Sequence, residues 1–184
     1  MAITAYSDLS QWNTTLKAAA SSNDTTIPLP LKNSEKLVVN LDSISSSYIK
    51  NLYGKKALSS CDALFCKNDK YYFIEFKNQV EKNIDSNDVR AKAFSSLLIA
   101  NFVLCPQCSI SELSNQSELF VVFKDSKEPN YLNKLASELK ILANLSGEPL
   151  FFNLREYVNK GIYKEIHTIP ASVFNEKYSD YIFL

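Results

Sequence analysis

The chain is poor in the residues that interrupt regular structure, since its 184 residues include only 3 glycines and 6 prolines. This scarcity excludes collagen-like, linker-rich and low-complexity chains. The glycines, Gly54, Gly147 and Gly161, lie too far apart to build the phosphate-binding loops of Walker or dinucleotide-binding motifs. Nucleotide-cofactor enzymes of those types are therefore excluded.

An excess of one charge is also absent, because 20 basic side chains balance 20 acidic ones. This balance excludes a nucleic-acid binder that depends on overall positive charge, but not one that uses a local basic patch. No apolar run approaches the roughly 20 residues that span a bilayer. Residues 1–8 lack the basic and apolar regions of a signal peptide. We expect a cytoplasmic protein with reduced cysteines and no membrane partner.

What is present is an ordinary globular composition, with 46% hydrophobic and 22% charged residues. A chain of this size buries roughly 70% of its unfolded surface, so it needs neither a disulfide nor a metal to fold. We expect one domain over residues 1–184, with residues 1–22 forming an N-terminal helix packed on it. The polar segment 21–30 is too short to divide two domains.

Hydrophobic periodicity and capping residues predict the order of elements. The predicted helices are Leu9–Ala20, Ser43–Leu52 with Asp42 or Ser43 as its cap, Val89–Leu104 capped by Asp88, one capped by Asn130 with Gly147 as its stop, one after Asn153, and a terminal one from Ser172. The predicted strands are Cys61–Cys66, Lys70–Lys77, Glu118–Lys124, Pro149–Asn153 and Ile162–Ile169. The core face of the Val89–Leu104 helix is expected to carry Ala91, Phe94, Leu98 and Phe102. This order predicts an α/β fold, a mixed sheet with helices on both faces.

Two neighbouring strands carry charges that their apolar sequences disfavour. The two-residue period of a strand places Glu75 and Lys77 on one face of Lys70–Lys77. A hairpin through residues 67–69 would bring Asp62 of the preceding strand close to Glu75. Because burying unpartnered charge is costly, the cluster indicates a functional site. Two carboxylates can hold Mg²⁺ beside a phosphate, and a lysine can orient the nucleophile. The alternative is a structural ion pair between Glu75 and Lys77, with Asp62 beginning a turn.

The pattern of Asp62 followed, after a hairpin, by Glu75-Phe76-Lys77 resembles the signature of the PD-(D/E)xK, or restriction-endonuclease-like, nuclease superfamily. The resemblance covers roughly residues 42–124 and includes a helix before the aspartate and a helix after the lysine. Two features depart from the family pattern. Cys61 stands where proline is common, and the glutamate that many members carry on the first helix is missing. The nearest substitutes for that glutamate are Glu35 and then Asp42.

The resemblance implies a restriction-endonuclease-like mixed β-sheet flanked by helices, and hydrolysis of phosphodiester bonds with Mg²⁺ or Mn²⁺ as cofactor. It implies Asp62, Glu75 and the Phe76 carbonyl as metal ligands, and Lys77 as the group that positions the attacking water. The implied partner is nucleic acid, usually DNA, cut by an endonuclease that leaves a 5′-phosphate. Family members that cut both strands often act as homodimers.

Further polar residues are candidates for contacts with a nucleic-acid backbone. Gln79, two residues beyond Lys77, has the same strand parity, and Lys92 lies on the helix after the site. A basic patch with neighbouring tyrosines consists of Lys50, Lys55 and Lys56. A solvated surface is the alternative for Lys92 and for the basic patch, and a contact with water is the alternative for Gln79.

Other interpretations stay open. The same fold could serve as a catalytically silent binding or assembly module, or as an RNA-cleaving nuclease. Cys105 and Cys108 form a C-x₂-C knuckle, so zinc bound by all four cysteines is a third hypothesis. Strand alternation points Cys61 and Cys66 to opposite faces, which favours free thiols. The single histidine, His167, is expected to be structural, because the chain has no Gly-x-Ser-x-Gly elbow.

Overall fold

The computed structural model of the chain describes residues 10–21, 29–49, 57–126 and 150–184. They form a mixed α/β structure around a six-stranded sheet with strand order β1 to β6. The strands are β1 Asn13–Thr15, β2 Leu37–Val39, β3 Ala63–Lys67, β4 Lys70–Lys77, β5 Ser117–Phe123 and β6 Glu165–Pro170. The helices are α1 Leu16–Ala20, α2 Leu41–Ile44, α3 Ser86–Leu104, α4 Ile110–Asn115, α5 Arg155–Asn159, α6 Ala171–Val173 and α7 Ser179–Phe183. Short helical turns are Ser45–Ile49, Glu81–Asn83 and Phe174–Tyr178.

The β3–β4 hairpin turns through Asn68 and Asp69, which have positive φ values of 50° and 59°. Asn and Asp tolerate this conformation, and such two-residue loops match the twist of antiparallel strands. The turn sets a register in which Ala63 pairs with Ile74. Strands β4, β5 and β6 are parallel, whereas β1 to β4 are antiparallel, so the sheet is mixed as predicted.

Apolar side chains cover both faces of the sheet. Tyr71 and Phe73 of β4 pack with residues of α2, α3 and α4. Tyr72, Ile74 and Phe76 pack on the other side with residues of α1, α6 and α7. All of β5 is buried, as expected for a central parallel strand. The prediction of a mixed sheet with helices on both faces is therefore confirmed.

The N-terminal segment differs from the predicted helix over Leu9–Ala20. An edge strand, β1, pairs with β2, and the helix is confined to α1. Thr14 and Thr15 are β-branched and favour a strand, and the Thr15 hydroxyl accepts a hydrogen bond from the Ala18 N–H at 3.2 Å. Pairing with a distant strand thus outweighs the local helical spacing. Strands β1 and β2 were not predicted.

Helix α2 begins earlier than the predicted Ser43–Leu52. Its cap is Asn40, whose Oδ1 accepts a hydrogen bond from the Ser43 N–H at 2.8 Å, so the prediction of Asp42 or Ser43 as cap is wrong. Asp42 instead lies in the first helical turn, where a negative charge is favourable. The predicted end of this helix near Gly54 lies outside the described residues.

Helix α3 begins three residues before the predicted Val89, and its cap is Asp85, not Asp88. Its predicted core face is also wrong, since Phe94 and Phe102 are 46% and 54% exposed. Apolar residues occur all around this helix, so spacing alone does not select the buried face. The face that packs on the sheet carries smaller residues, which let the helix approach closely. They are Val89, Ala93, Leu97 and Ala100.

The elements predicted near the C-terminus are confirmed only in part. Residues 150–153 of the predicted strand Pro149–Asn153 form no strand, because Phe152 and Asn153 have φ values of 60° and 57°. Such values are incompatible with an extended strand. Strand β6 begins three residues later than predicted, and a helical segment follows it as expected. The helix predicted after Asn130 lies outside the described residues.

Cys105 and Cys108 form a disulfide between α3 and α4. The expectation of reduced thiols is therefore wrong for this pair, and two of the four zinc-ligand candidates are unavailable. The reason is local: the end of α3 places their Cα atoms 5.2 Å apart, within disulfide range. Cys61 and Cys66 form no disulfide bond in the described part of the chain. Among the described helices, none combines the length and apolar character required to cross a bilayer.

Candidate functional site

The open end of the β3–β4 hairpin places Asp62 beside Glu75. The ladder pairs Ala63 with Ile74, so the next residues along the two strands are these two carboxylates. Asp62 lies just before β3, and its Oδ2 accepts a hydrogen bond from the Phe76 N–H at 2.7 Å. Both carboxylates are buried, with exposed fractions of 4% for Asp62 and 1% for Glu75. The structure thus brings together the two acids that the hairpin pattern predicts.

Two lysines from different elements converge on Oε1 of Glu75. Lys77 of β4 places its Nζ 2.9 Å away, and Lys92 of α3 places its Nζ 2.8 Å away. Lys92 also lies 3.8 Å from Oδ1 of Asp62, and Lys77 is bonded to Oδ2 of Asp88 at 2.6 Å. The start of α3 therefore supplies both a cation and an anion to the site. Lys92, predicted as a contact to nucleic acid, is engaged by the carboxylates.

The second oxygen of Glu75 is the unusual atom of the site. Oε2 is buried and has no hydrogen-bond partner among the residues that the structure describes. A buried carboxylate oxygen without a donor or cation is costly, so such atoms require an explanation. A bound metal ion is one explanation, because carboxylate oxygens are hard ligands.

Asp42, the second candidate for the auxiliary acid, lines the same pocket as Asp62. The pocket has a volume of about 390 Å³ and opens to solvent, and its other lining residues are small or polar: Ala18, Ala19, Asn40, Ser43, Ser46 and Ser47. Ser60 donates a hydrogen bond to Asp42, which ties α2 to the segment before β3. Glu35, the first candidate, is exposed in the turn before β2. The geometry favours Asp42 over Glu35.

Burial and charge shift the pKa values of all four central groups. Burial raises the pKa of Glu75, and it raises that of Asp62 well above its usual range, with repulsion from Glu75 adding to the effect on Asp62. Burial acts to lower the pKa values of Lys77 and Lys92, but their carboxylate partners outweigh it, and both pKa values are raised. Both ammonium groups therefore stay charged at neutral pH. They can donate hydrogen bonds but cannot accept a proton.

The cluster combines four carboxyl groups with two ammonium groups. With all four carboxyl groups ionised it would carry an excess of two negative charges, which one dication would balance. Oxygen donors of this kind suit Mg²⁺ or Mn²⁺. The six groups are Asp42, Asp62, Glu75, Asp88, Lys77 and Lys92.

The remaining predicted site residues lie in several places. The ring of Phe76 packs in the core on the opposite face from Glu75, and its carbonyl as a metal ligand stays a prediction. Gln79 follows β4, and its carbonyl accepts a hydrogen bond from the Lys124 N–H at 3.0 Å. The basic patch falls outside the described residues: Lys50, Lys55 and Lys56.

Sequence reasoning did not find Asp88 or Ser60 as site residues. Asp88 was assigned only to capping, although its position four residues before Lys92 could have indicated a shared helix face. Ser60 gave no comparable pattern, because its contact with Asp42 joins two segments distant in the chain.

Comparison of the chain with protein-family models, curated proteins and solved structures finds no match. The interpretation of the site therefore depends on its own geometry and chemistry.

Proposed function

We propose that the protein is a metal-dependent nuclease of restriction-endonuclease-like fold, which hydrolyses phosphodiester bonds in DNA at a site formed by Asp62, Glu75 and Lys77. The observation that carries this proposal is the buried Oε2 of Glu75, which lacks a partner in the described part of the chain. It lies in a cluster of four carboxyl groups and two lysines, and Asp62 of that cluster lines an open polar pocket. A mixed sheet with a β3–β4 hairpin and helices on both faces is compatible with that fold.

The metal would be held by Asp62 and Glu75. Oε2 of Glu75 is available, and Oδ1 of Asp62 faces the Lys92 ammonium at 3.8 Å, beyond hydrogen-bond distance. Asp42 lies in the same pocket and could reach the ion through a water. The resemblance adds the Phe76 carbonyl as a ligand. When bound, Mg²⁺ or Mn²⁺ lowers the pKa of a coordinated water and neutralises charge on the phosphate.

Lys77 is proposed to position the attacking water. Its ammonium lies between Glu75 and Asp88, at 2.9 and 2.6 Å, and its side chain is 17% exposed, so it can still reach a substrate. Because its pKa is raised, it acts as a donor to the water or to a phosphate oxygen and not as a base. In the hydrolysis the water oxygen bonds to phosphorus, the bond to the 3′ oxygen breaks, and that oxygen ends protonated.

A second candidate function is a silent binding or assembly module with the same fold. The observation that favours it is that Lys77 and Lys92 already satisfy Oε1 of Glu75 without a metal. RNA as substrate, a homodimer and a cytoplasmic location stay expectations that follow from the sequence and the resemblance.

A panel of substrates tests the proposal. The purified chain is incubated with supercoiled plasmid, single-stranded DNA and RNA, with Mg²⁺ or Mn²⁺ or with a chelator. We expect metal-dependent cleavage of DNA that falls at least about 100-fold in Lys77→Met, since transition-state donors contribute on this scale. Lys160→Met, which removes an exposed lysine paired with Glu156, serves as the control. Absence of cleavage on every substrate by folded protein would favour the silent module.

A further inference from the structure

A second group of metal-ligating side chains lies away from the nuclease site. Glu118 of β5 and Glu165 of β6 are direct partners across the parallel pair, and His167 follows Glu165 by two residues, so it lies on the same face. One ligand atom from each residue lies within 4.8 Å of the others. Glu118 pairs with Tyr72 of β4, on the sheet face opposite to Glu75 and closer to the amino ends of the strands.

Packing fixes two of these three side chains. The Glu118 carboxylate is 3% exposed. The His167 imidazole stacks on Phe120 with centroids 4.6 Å apart, and it lies 4.7 Å from the Tyr178 ring. Glu165 is 55% exposed and marks the side that opens to solvent, with its Oε2 3.7 Å from Nε2 of His167. Two ligands are therefore preorganised, and the third is free to close on an ion.

We propose that Glu118, Glu165 and His167 bind a transition-metal dication of the zinc class. One imidazole nitrogen and two carboxylate oxygens are donors that Zn²⁺ accepts at roughly 2.0–2.2 Å. The imidazole separates this set from the all-oxygen sites that Mg²⁺ and Ca²⁺ prefer. Donors around a tetrahedral ion at such distances lie about 3.3 Å apart. The observed spacing of up to 4.8 Å would have to shorten to that value on binding, chiefly through movement of the exposed Glu165 side chain.

Lys70 forms an ion pair with Glu118, so a metal ion at this site would share the Glu118 carboxylate with the lysine ammonium. Its ammonium lies 3.2 Å from Oε1 of Glu118 and 2.8 Å from the Tyr181 hydroxyl. The lysine engages one carboxylate oxygen, so the other can face the metal. Its side chain is 38% exposed, and the Tyr181 ring lies 5.5 Å from Nζ, which gives the ammonium a place to stay when the ion enters. Three protein ligands leave a fourth position for water.

Titration of the whole chain with Zn²⁺ in competition with a chromophoric chelator tests this site. We expect one Zn²⁺ bound per chain at this cluster, with an affinity that falls at least about tenfold in Glu165→Gln and in His167→Gln. Glu156→Gln, at an exposed glutamate, should leave the affinity unchanged. The Asp62→Asn, Glu75→Gln double variant should also keep it, because the two sites share no residue.

The variants are chosen so that misfolding does not decide the outcome. His167 packs among aromatic rings, so its replacement could loosen the structure, whereas Glu165 is exposed at the first residue of β6. The proposal is overturned if the parent binds no Zn²⁺, or if folded Glu165→Gln binds it as tightly as the parent. Loss of binding only in the Asp62→Asn, Glu75→Gln variant would also overturn it, since zinc would then occupy the nuclease site. The nuclease proposal does not depend on any of these results.

Discussion

The Glu75 carboxylate is costly to bury, and the same burial leaves one of its oxygens suited to bind a metal ion. One of its oxygens receives two ammonium groups, and the other lacks a partner in the described part of the chain. Its neighbour Asp62 is almost as buried and gains a backbone hydrogen bond from Phe76. A purely structural ion pair would need only one carboxylate and one lysine. The second buried acid and the Glu75 oxygen without a described partner are the two features on which the proposed metal site depends.

The raised pKa values of Asp62 and Glu75 predict how stability changes with pH in the metal-free protein. Each carboxyl group binds its proton more tightly in the folded chain than in the unfolded chain, chiefly because of burial. Its contribution to stability is therefore greatest below the unfolded pKa, and it is lost as pH rises through the folded pKa.

Asp62→Asn should remove the Asp62 part of this dependence while keeping an oxygen for the Phe76 N–H. Unfolding by urea with a chelator present, from pH 4 upward, is the measurement. We expect the variant to gain stability relative to the parent as pH increases. A constant difference between the two proteins across this range would show that the Asp62 pKa is not raised by folding.

At the scale of elements, local patterns predicted β4 and its hairpin correctly, because alternation and turn residues act within a few positions. The same patterns predicted that Asp62 and Glu75 lie close together. Strands β1 and β2 escaped prediction because each is three residues long and is defined by pairing with a distant segment. The contact of Asp88 with Lys77 joins two elements, and the only local sign of it is the position of Asp88 four residues before Lys92.

The orientation of α3 gives a direct test of the corrected core face. Leu97 is 1% exposed and packs toward the sheet, whereas Phe94 is 46% exposed. Leu97→Ala should therefore lower the free energy of unfolding by about 2–5 kcal/mol, and Phe94→Ala should change it by less than about 0.5 kcal/mol. Equilibrium denaturation of both variants provides the comparison. A larger loss of unfolding free energy in Phe94→Ala than in Leu97→Ala would show that the helix packs on the sheet through the face that residue spacing alone predicted.

Backbone conformation at two turns predicts effects of opposite sign. Asp69 has a φ of 59° in the hairpin, so Asp69→Gly should stabilise the protein by up to about 1 kcal/mol, because glycine adopts this conformation without a steric cost. Gly161 has a φ of 64°, and a Cβ placed there meets no atom of the described chain within 4 Å. Gly161→Ala should therefore cost about 1 kcal/mol through backbone strain alone. Thermal unfolding of the two variants measures both effects, and equal signs would contradict them.

At the scale of the molecule, the sheet separates two chemically different places. The carboxylate–lysine cluster faces α2 and α3, at the end of β4 that precedes α3. The group of Glu118, Glu165 and His167 lies on the other face, toward the amino ends of the parallel strands. Composition could not indicate this separation, because the net charge of the chain is zero. Only the fold shows that acids and lysines are concentrated around one hairpin.

The order of elements predicted the mixed sheet and its two helical layers. Within the site, only the residues of the hairpin could be predicted, because they are close in sequence. Its third carboxylate, Asp42, was a weak candidate until α2 and the hairpin were placed around one pocket. Lys92 was noted for its charge, yet its contact with Glu75 depends on how α3 lies over β4. Long-range packing, which no local pattern encodes, decides both.

The most direct test is the initial rate of plasmid nicking in Mg²⁺ by the parent and by Glu75→Gln, with Glu156→Gln as the matched control at an exposed glutamate. Glutamine keeps the size of the side chain and loses the negative charge that would hold the ion. We predict nicking by the parent and the control, and a loss of at least about 100-fold in Glu75→Gln. Equal rates for the parent and a folded Glu75→Gln variant would contradict the assignment of Glu75 as a metal ligand for catalysis.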